Sequence, residues 1–296
     1  MDLRALLMGL AFAAMWSSAF TAARIIVLDA PPLMSLSLRF VLSGLIGIGL
    51  AAALGQRARL TPAQWRATVL FGLCQNSLYL GLYFIAMQTV EASLAAIMAS
   101  TMPLIVAAAG WALLGQRLSW LGVAGLVAGF SGVLVILGGR LGVDPALGTG
   151  GGVDPVGLAL CVIGVCALAF ATLALRGTGG GDNVLMVVGL QMLIGGVALV
   201  PFALAFETPE VRMSGALVVA FVYLMLVPGL LATWVWFWLV RRIGAVRAAT
   251  FHFLNPFFGV ATAALVLGEA LGPLDVIGVA VVMAGILAVQ RARRAG

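Results

Sequence analysis

Charge is what this 296-residue sequence has least of: 9% of its residues are charged, against about 25% in an ordinary soluble domain. A water-soluble enzyme is excluded, and so is a membrane anchor carrying a large soluble domain. Lysine is absent altogether, since all 16 basic residues are Arg. That removes any phosphate-binding loop of the G-x-x-x-x-G-K-[ST] type, and with it ATP-driven pumping by this chain alone. It also removes a retinal Schiff base. A single His252 leaves no H-E-x-x-H zinc site and no bis-histidine haem. Cys74, Cys161 and Cys166 form no C-x-x-C pair and fall in apolar stretches, where they read as small core residues. Neither a metal nor a cofactor is expected. The net charge of +6 is read as basic residues retained at one membrane face rather than as a nucleic-acid footprint, and nucleic acid is excluded as a partner.

What is abundant is apolar length. Hydrophobic residues make up 63% of the chain, and ten spans of roughly 20 residues each would leave only short connections. Segments of spanning length run at 5–28, 33–54, 67–87, 92–114 and 119–138, then 156–175, 184–206, 215–240, 243–267 and 273–290. The first resembles a signal peptide but reads as a retained span, because nine similar segments follow. With the N-terminus in the cytoplasm, 12 Arg fall at the inner side, and Arg24, Arg39, Arg140 and Arg212 fall at or toward the outer side. The positive-inside rule selects this orientation, with both termini cytoplasmic.

The chain also repeats itself. Shifted by 153 residues, Pro103 falls on Pro256, Gly115-Gln116 on Gly268-Glu269, Gly125 on Gly278 and Gly132 on Gly285. The organisation expected is a first five-helix repeat over 1–139, a Gly-rich external linker over 140–154 and a second five-helix repeat over 155–296. Five is odd, so the two copies enter the membrane with opposite orientation. Inverted repeats of this kind give secondary transporters alternating access around a midplane site. The fold class expected is therefore an all-α polytopic membrane protein of ten transmembrane helices in two inverted repeats.

Trp16 in the first span, Pro31 and Arg39 around the second, Pro103 with Gly115-Gln116 in the fourth, and Pro256 with Leu267-Gly268-Glu269 in the ninth carry a resemblance to a known family. In their order and spacing they resemble the drug/metabolite transporter superfamily, specifically its ten-span EamA-type members, over essentially the whole chain. Within it the sequence looks most like bacterial inner-membrane amino-acid exporters of the YddG type, which handle aromatic amino acids. The resemblance implies a multi-pass protein of the bacterial inner membrane. Gln116 departs from the family's usual Glu.

Polar side chains inside a span are costly unless they face protein or water, so each is a site candidate. Gln75, Tyr79 and Tyr83 recur at four-residue spacing, one helical face; they suit a wet cavity, or the tyrosines act as interfacial anchors. His252 and Asn255 precede Pro256, as Ser100 and Thr101 precede Pro103. Each proline removes a backbone hydrogen bond and bends its helix, so the polar neighbours line a gated pocket or simply satisfy the freed carbonyls. Pro103 and Pro256 are the hinge candidates. Trp16 with Ser17 offers an aromatic wall, and Trp234 with Trp238 reads as lipid-facing or as wall. Arg39, placed like Gln191 of the other half, suits a substrate carboxylate or an ion pair with Asp29 or Glu91.

All ten acids sit at span ends or in loops, so His252 is the ionisable group of a span interior suited to neutral pH. The function expected is export of small amphipathic metabolites, foremost neutral or aromatic amino acids, by facilitated or gradient-driven alternating access. Proton-antiport export of drugs or nucleoside-like metabolites is the alternative. A channel lacks a ring of like charge or a filter sequence. An intramembrane serine protease would use Ser131 of Gly129-Phe130-Ser131-Gly132 with His252, but Gly125 and Gly129 read more simply as a G-x-x-x-G packing face. The expected partners are the bilayer and a small-molecule substrate, with the chain a monomer or a weak homo-oligomer.

Overall fold

A computed structural model describes residues 3–141, 153–174 and 183–292. Ten of its helices are long and apolar enough to cross a membrane. We number them α1 (Leu3–Asp29), α2 (Pro32–Ala53), α3 (Pro62–Ala86), α4 (Ala92–Leu113), α5 (Trp120–Arg140), α6 (Pro155–Ala174), α7 (Val184–Phe206), α8 (Gly215–Ile243), α9 (Arg247–Leu267) and α10 (Pro273–Ala292). No strand occurs among the described residues. The central stretch of the expected 140–154 linker and the Gly177–Gly181 link lie outside the described residues.

Local chemistry sets the ends. α3 starts five residues earlier than apolar length suggests, because Thr61 and Gln64 close a capping box in front of it. Gly115 and Gly268, one after each repeat-related helix, end α4 and α9 at φ 62° and 69°, a left-handed conformation that glycine adopts without penalty. Three helices are interrupted. α3 carries a π-helical stretch at Gly72–Tyr79 and α8 another at Met225–Leu231, with Pro228 inside it. α9 begins inside a short helix, Ala245–Ala249, and passes through a 3-10 turn, Thr250–Leu254, before Asn255–Leu267.

The chain divides into two compact units. One comprises Met1–Thr21, Thr89–Ala159 and Leu231–Gly296; the other comprises Ala22–Gln88 and Leu160–Leu230. Both draw on both repeats, because equivalent helices pair: α4 with α9 and α5 with α10 in the first unit, α2 with α7 in the second. The α5–α10 seam is backbone on backbone. A methyl placed on Gly132 would stand 2.8 Å from the Gly278 carbonyl oxygen, and one on Gly125 2.9 Å from that of Gly285. Between helices in lipid, such close approach is what small residues provide. Ser131 is exposed on this helix while Gly129 packs against Leu104 of α4 and Gly132 against α10, so the G-x-S-G string is a packing motif. Cys161 is buried, Cys74 half-buried and Cys166 exposed, so the core reading of the cysteines fails for Cys166.

Candidate functional site

In the first unit, the 3-10 turn of α9 presents His252 to three aromatic rings. Phe12 and Trp16 of α1 meet it edge-on at centroid distances of 5.2 and 6.2 Å, and Trp236 of α8 lies at 5.2 Å. Phe12 also touches Trp16 and Trp236, so the imidazole sits in an aromatic box. Asn255, one turn on, donates from Nδ2 to His252 Nδ1 at 3.0 Å, which leaves the ring proton on Nε2. Asn255 Oδ1 is then buried without a partner, as is the Oγ of Ser17. Buried polar atoms are rarely left unpaired, and those that are need a cause. No group of His, Cys, Asp or Glu able to hold a metal occurs among the described residues.

The equivalent place in α4 is built otherwise. There the helix breaks between Ala92–Ser100 and Met102–Leu114, with Pro103 in the first turn of the second piece, just as Pro256 lies in the first turn of Asn255–Leu267. Ser100 Oγ donates to the Ala96 carbonyl at 2.7 Å and Thr101 Oγ1 to that of Met98 at 2.6 Å. Both hydroxyls are spent on their own helix. Neither accepting carbonyl is that of Ala99, four residues before Pro103, so these are back-bonds within the first piece of the helix rather than partners for the carbonyl the proline frees.

The second unit holds Arg39, Gln75, Tyr79, Tyr83 and Gln191. Tyr79 and Tyr83 keep company, with ring centroids 4.6 Å apart and both residues buried. Gln75 lies half-buried in the π-helical stretch, where i→i+5 backbone bonds replace the α-helical ones. The neighbours of Gln75 take the structural work instead. Asn76 Nδ2 donates to the Gln191 carbonyl and Ser77 Oγ to that of Gly195, each at 2.9 Å. Gln191 thus serves this contact through its backbone. Arg39 makes neither ion pair considered for it: Asp29 accepts from Ser214, and Glu91 pairs with Arg140.

Three features escaped the sequence. Trp236 enters the box where Trp234 is 60% exposed and Trp238 stacks under Arg4. Arg140 bridges Glu91 and Asp275. Glu269 caps α4, its two oxygens accepting from the Ala92 and Ser93 amides at 2.7 and 2.9 Å. Glu207 does the same for Leu33 and Met34 of α2 at 2.6 and 2.8 Å, and Gln56 Oε1 accepts from Met186 of α7 at 3.0 Å. A carboxylate at a helix N-terminus meets unpaired N–H groups and the positive end of the dipole. Gln116, the repeat mate of Glu269, instead lies against Gly110 of its own helix.

The profile of the EamA-like transporter family matches the chain twice, over residues 3–138 and 155–290. The inner membrane transporter YedA of Escherichia coli (strain K12) is 26% identical over 287 residues, covering 93% of this chain and 86% of its own. YvbV, a transporter of Bacillus subtilis (strain 168), is 24% identical over 262 residues, 87% of this chain and 82% of its own. A protein of Streptantibioticus cattleyicolor named "Probable terminal-alkyne amino-acid exporter" is 28% identical over 283 residues, covering 93% and 90%. A solved crystal structure, 23% identical, covers 100% of this chain and 99% of its own with a TM-score of 0.68, and shares the fold.

Proposed function

The chain belongs to the EamA-like transporter family, and from that membership we propose that it exports small amphipathic metabolites, foremost neutral and aromatic amino acids, across a bacterial inner membrane. It is a multi-pass membrane transporter, not an enzyme. The two repeats are of opposite orientation, both termini are cytoplasmic, and access alternates between the faces.

The observation that carries the cargo class is the box around His252. Its walls are Phe12, Trp16 and Trp236, its polar atoms belong to His252 and Asn255, and none of these residues is acidic. Stacking surface beside a neutral acceptor and a neutral donor suits an aromatic or apolar side chain with few polar groups. Polyanions would require several basic groups there. That a relative is named as an amino-acid exporter supports the same class.

Transport is driven by the cargo's own gradient. With no carboxylate in the box, His252 would be the group to carry a proton, and its Nδ1 is already engaged by Asn255. Counterflow in proteoliposomes, screened across amino acids, nucleosides and cationic drugs, tests the proposal. Saturable phenylalanine counterflow without a pH gradient is expected. Uphill uptake driven by an imposed pH gradient, and lost in His252→Ala, would overturn gradient-driven transport in favour of proton antiport. Counterflow confined to drugs or nucleosides would overturn the amino-acid assignment.

A further inference from the structure

Arg39 lies about two turns into α2 and is 8% exposed. A guanidinium keeps its charge, and an unpaired charge within a span is costly enough that such residues normally face a counter-charge or water. Among the described residues the ion pairs are those of Arg140 with Glu91 and Asp275, so no carboxylate serves Arg39. Its Nε is buried with no hydrogen-bond partner. The Phe40 ring, with its centroid 4.8 Å from Cζ, holds one face of the guanidinium and leaves the edge to donate.

One turn further along α2 stands Ser43, 1% exposed, its Oγ also without a partner. Beside both lies Gly229, in the π-helical stretch of α8 next to Pro228. A methyl placed on Gly229 would stand 3.2 Å from the Leu224 carbonyl oxygen, 3.8 Å from Arg39 Nη2 and 3.9 Å from Ser43 Oγ. All three residues belong to the second unit. Two buried polar groups, one of them charged, therefore border a position that carries no side chain.

We infer that Arg39, Ser43 and Gly229 form a carboxylate subsite for the cargo. The guanidinium edge donates to the carboxylate oxygens in the fork geometry that arginine offers, Ser43 donates a further hydrogen bond, and Gly229 leaves the room. One fixed positive charge balances one carboxylate and leaves a phosphate dianion half neutralised. The inference rests on the export reading above and narrows it: accepted cargo carries a carboxylate, and amines, amides or alcohols of the same shape are poor cargo.

The test is competition against phenylalanine counterflow by the reconstituted full chain, joined to melting of the purified protein in detergent. Phenylalanine and 3-phenylpropionate should compete about tenfold or more better than phenylalaninol, the scale of one charge-assisted hydrogen bond. Arg39→Gln should erase that preference, Arg39→Lys should reduce it, and Ser43→Ala should narrow it about threefold. 3-Phenylpropionate should raise the melting temperature of the wild type and not that of Arg39→Gln. Equal competition by acid and alcohol in the wild type would overturn the subsite while leaving amino-acid export standing, as would a folded Arg39→Gln that keeps the preference. Should Arg39→Gln not fold, unchanged acid-to-alcohol ratios in both Arg39→Lys and Ser43→Ala would overturn it. A wild type without phenylalanine counterflow would refute the cargo assignment instead; the melting shift, present or absent, then decides the subsite.

Discussion

The fourth and ninth spans hold equivalent places in the two repeats, break at equivalent points and restart on equivalent prolines, yet their polar residues are used in opposite ways. In α4 the hydroxyls of Ser100 and Thr101 turn back to the carbonyls of Ala96 and Met98 on their own helix. In α9 His252 and Asn255 bond to each other, and Asn255 Oδ1 is left buried without a partner. The helix ends differ too: Glu269 after α9 reaches across to cap α4, whereas Gln116 after α4 stays with its own helix. Duplication supplies two breaks, and divergence gives their polar residues different partners. One copy turns its polar side chains back on its own helix; the other leaves one buried acceptor unpaired.

Substitution at the two breaks gives the largest contrast. Asn255→Ala and His252→Ala should lower phenylalanine counterflow about tenfold or more, and each loses the hydrogen bond the pair shares, roughly 1 kcal/mol of stability. Ser100→Ala and Thr101→Val should cost about the same stability for a lost side-chain hydrogen bond while leaving counterflow within about twofold. Equal transport losses in both pairs would break the comparison.

A smaller effect is expected at the caps. Glu269→Ala removes both acceptors from the start of α4 and should destabilise by about 1–2 kcal/mol, the upper range for a cap. Gln116→Ala should stay within about 0.5 kcal/mol. Thermal melting of the two variants side by side checks this, and Glu269→Gln should recover part of the loss by keeping one acceptor.

The smallest expected effect concerns pH. Asp154, in front of α6, accepts from Thr89 Oγ1 at 2.6 Å and from the amides of Gly157 and Val156. These bonds, the Thr89 hydroxyl first, hold its carboxyl below the ordinary value of 3.8. A depressed carboxyl adds stability above its unfolded value and loses it as pH falls through the lower folded value. Thr89→Val should therefore lower the melting temperature slightly at pH 7, and the gap to wild type should close as the medium is acidified below pH about 4. A gap that stays constant down to pH about 2 would show that Thr89 acts by packing alone.

The ten helices were legible because apolar length is the membrane's own requirement, and the repeat was legible because proline and glycine are rare enough to mark a register. Much of the box was legible as well, since a His, an Asn and a Trp stand out where everything else is apolar. Trp236 was not. In the run Trp234-Val235-Trp236-Phe237-Trp238 every face of the helix is apolar, so periodicity gives no sense of which side meets protein. The π-helix of α3 leaves no sequence mark either. Long-range caps are hidden for another reason: Glu269 signals a turn locally, but the amides it binds belong to a helix 177 residues earlier in the chain.

The glycine seam of α5 and α10 has a consequence for how such a gene can change. Half of the seam is written in each copy, as Gly125 and Gly132 on one side and Gly278 and Gly285 on the other, so neither copy can drift alone at those positions. A bulkier residue fixed in one cannot be absorbed by shrinking its opposite number, because that is already the smallest residue available. Chimaeras that join the front half of this chain to the back half of a relative will assemble only where both parents left the same four places bare.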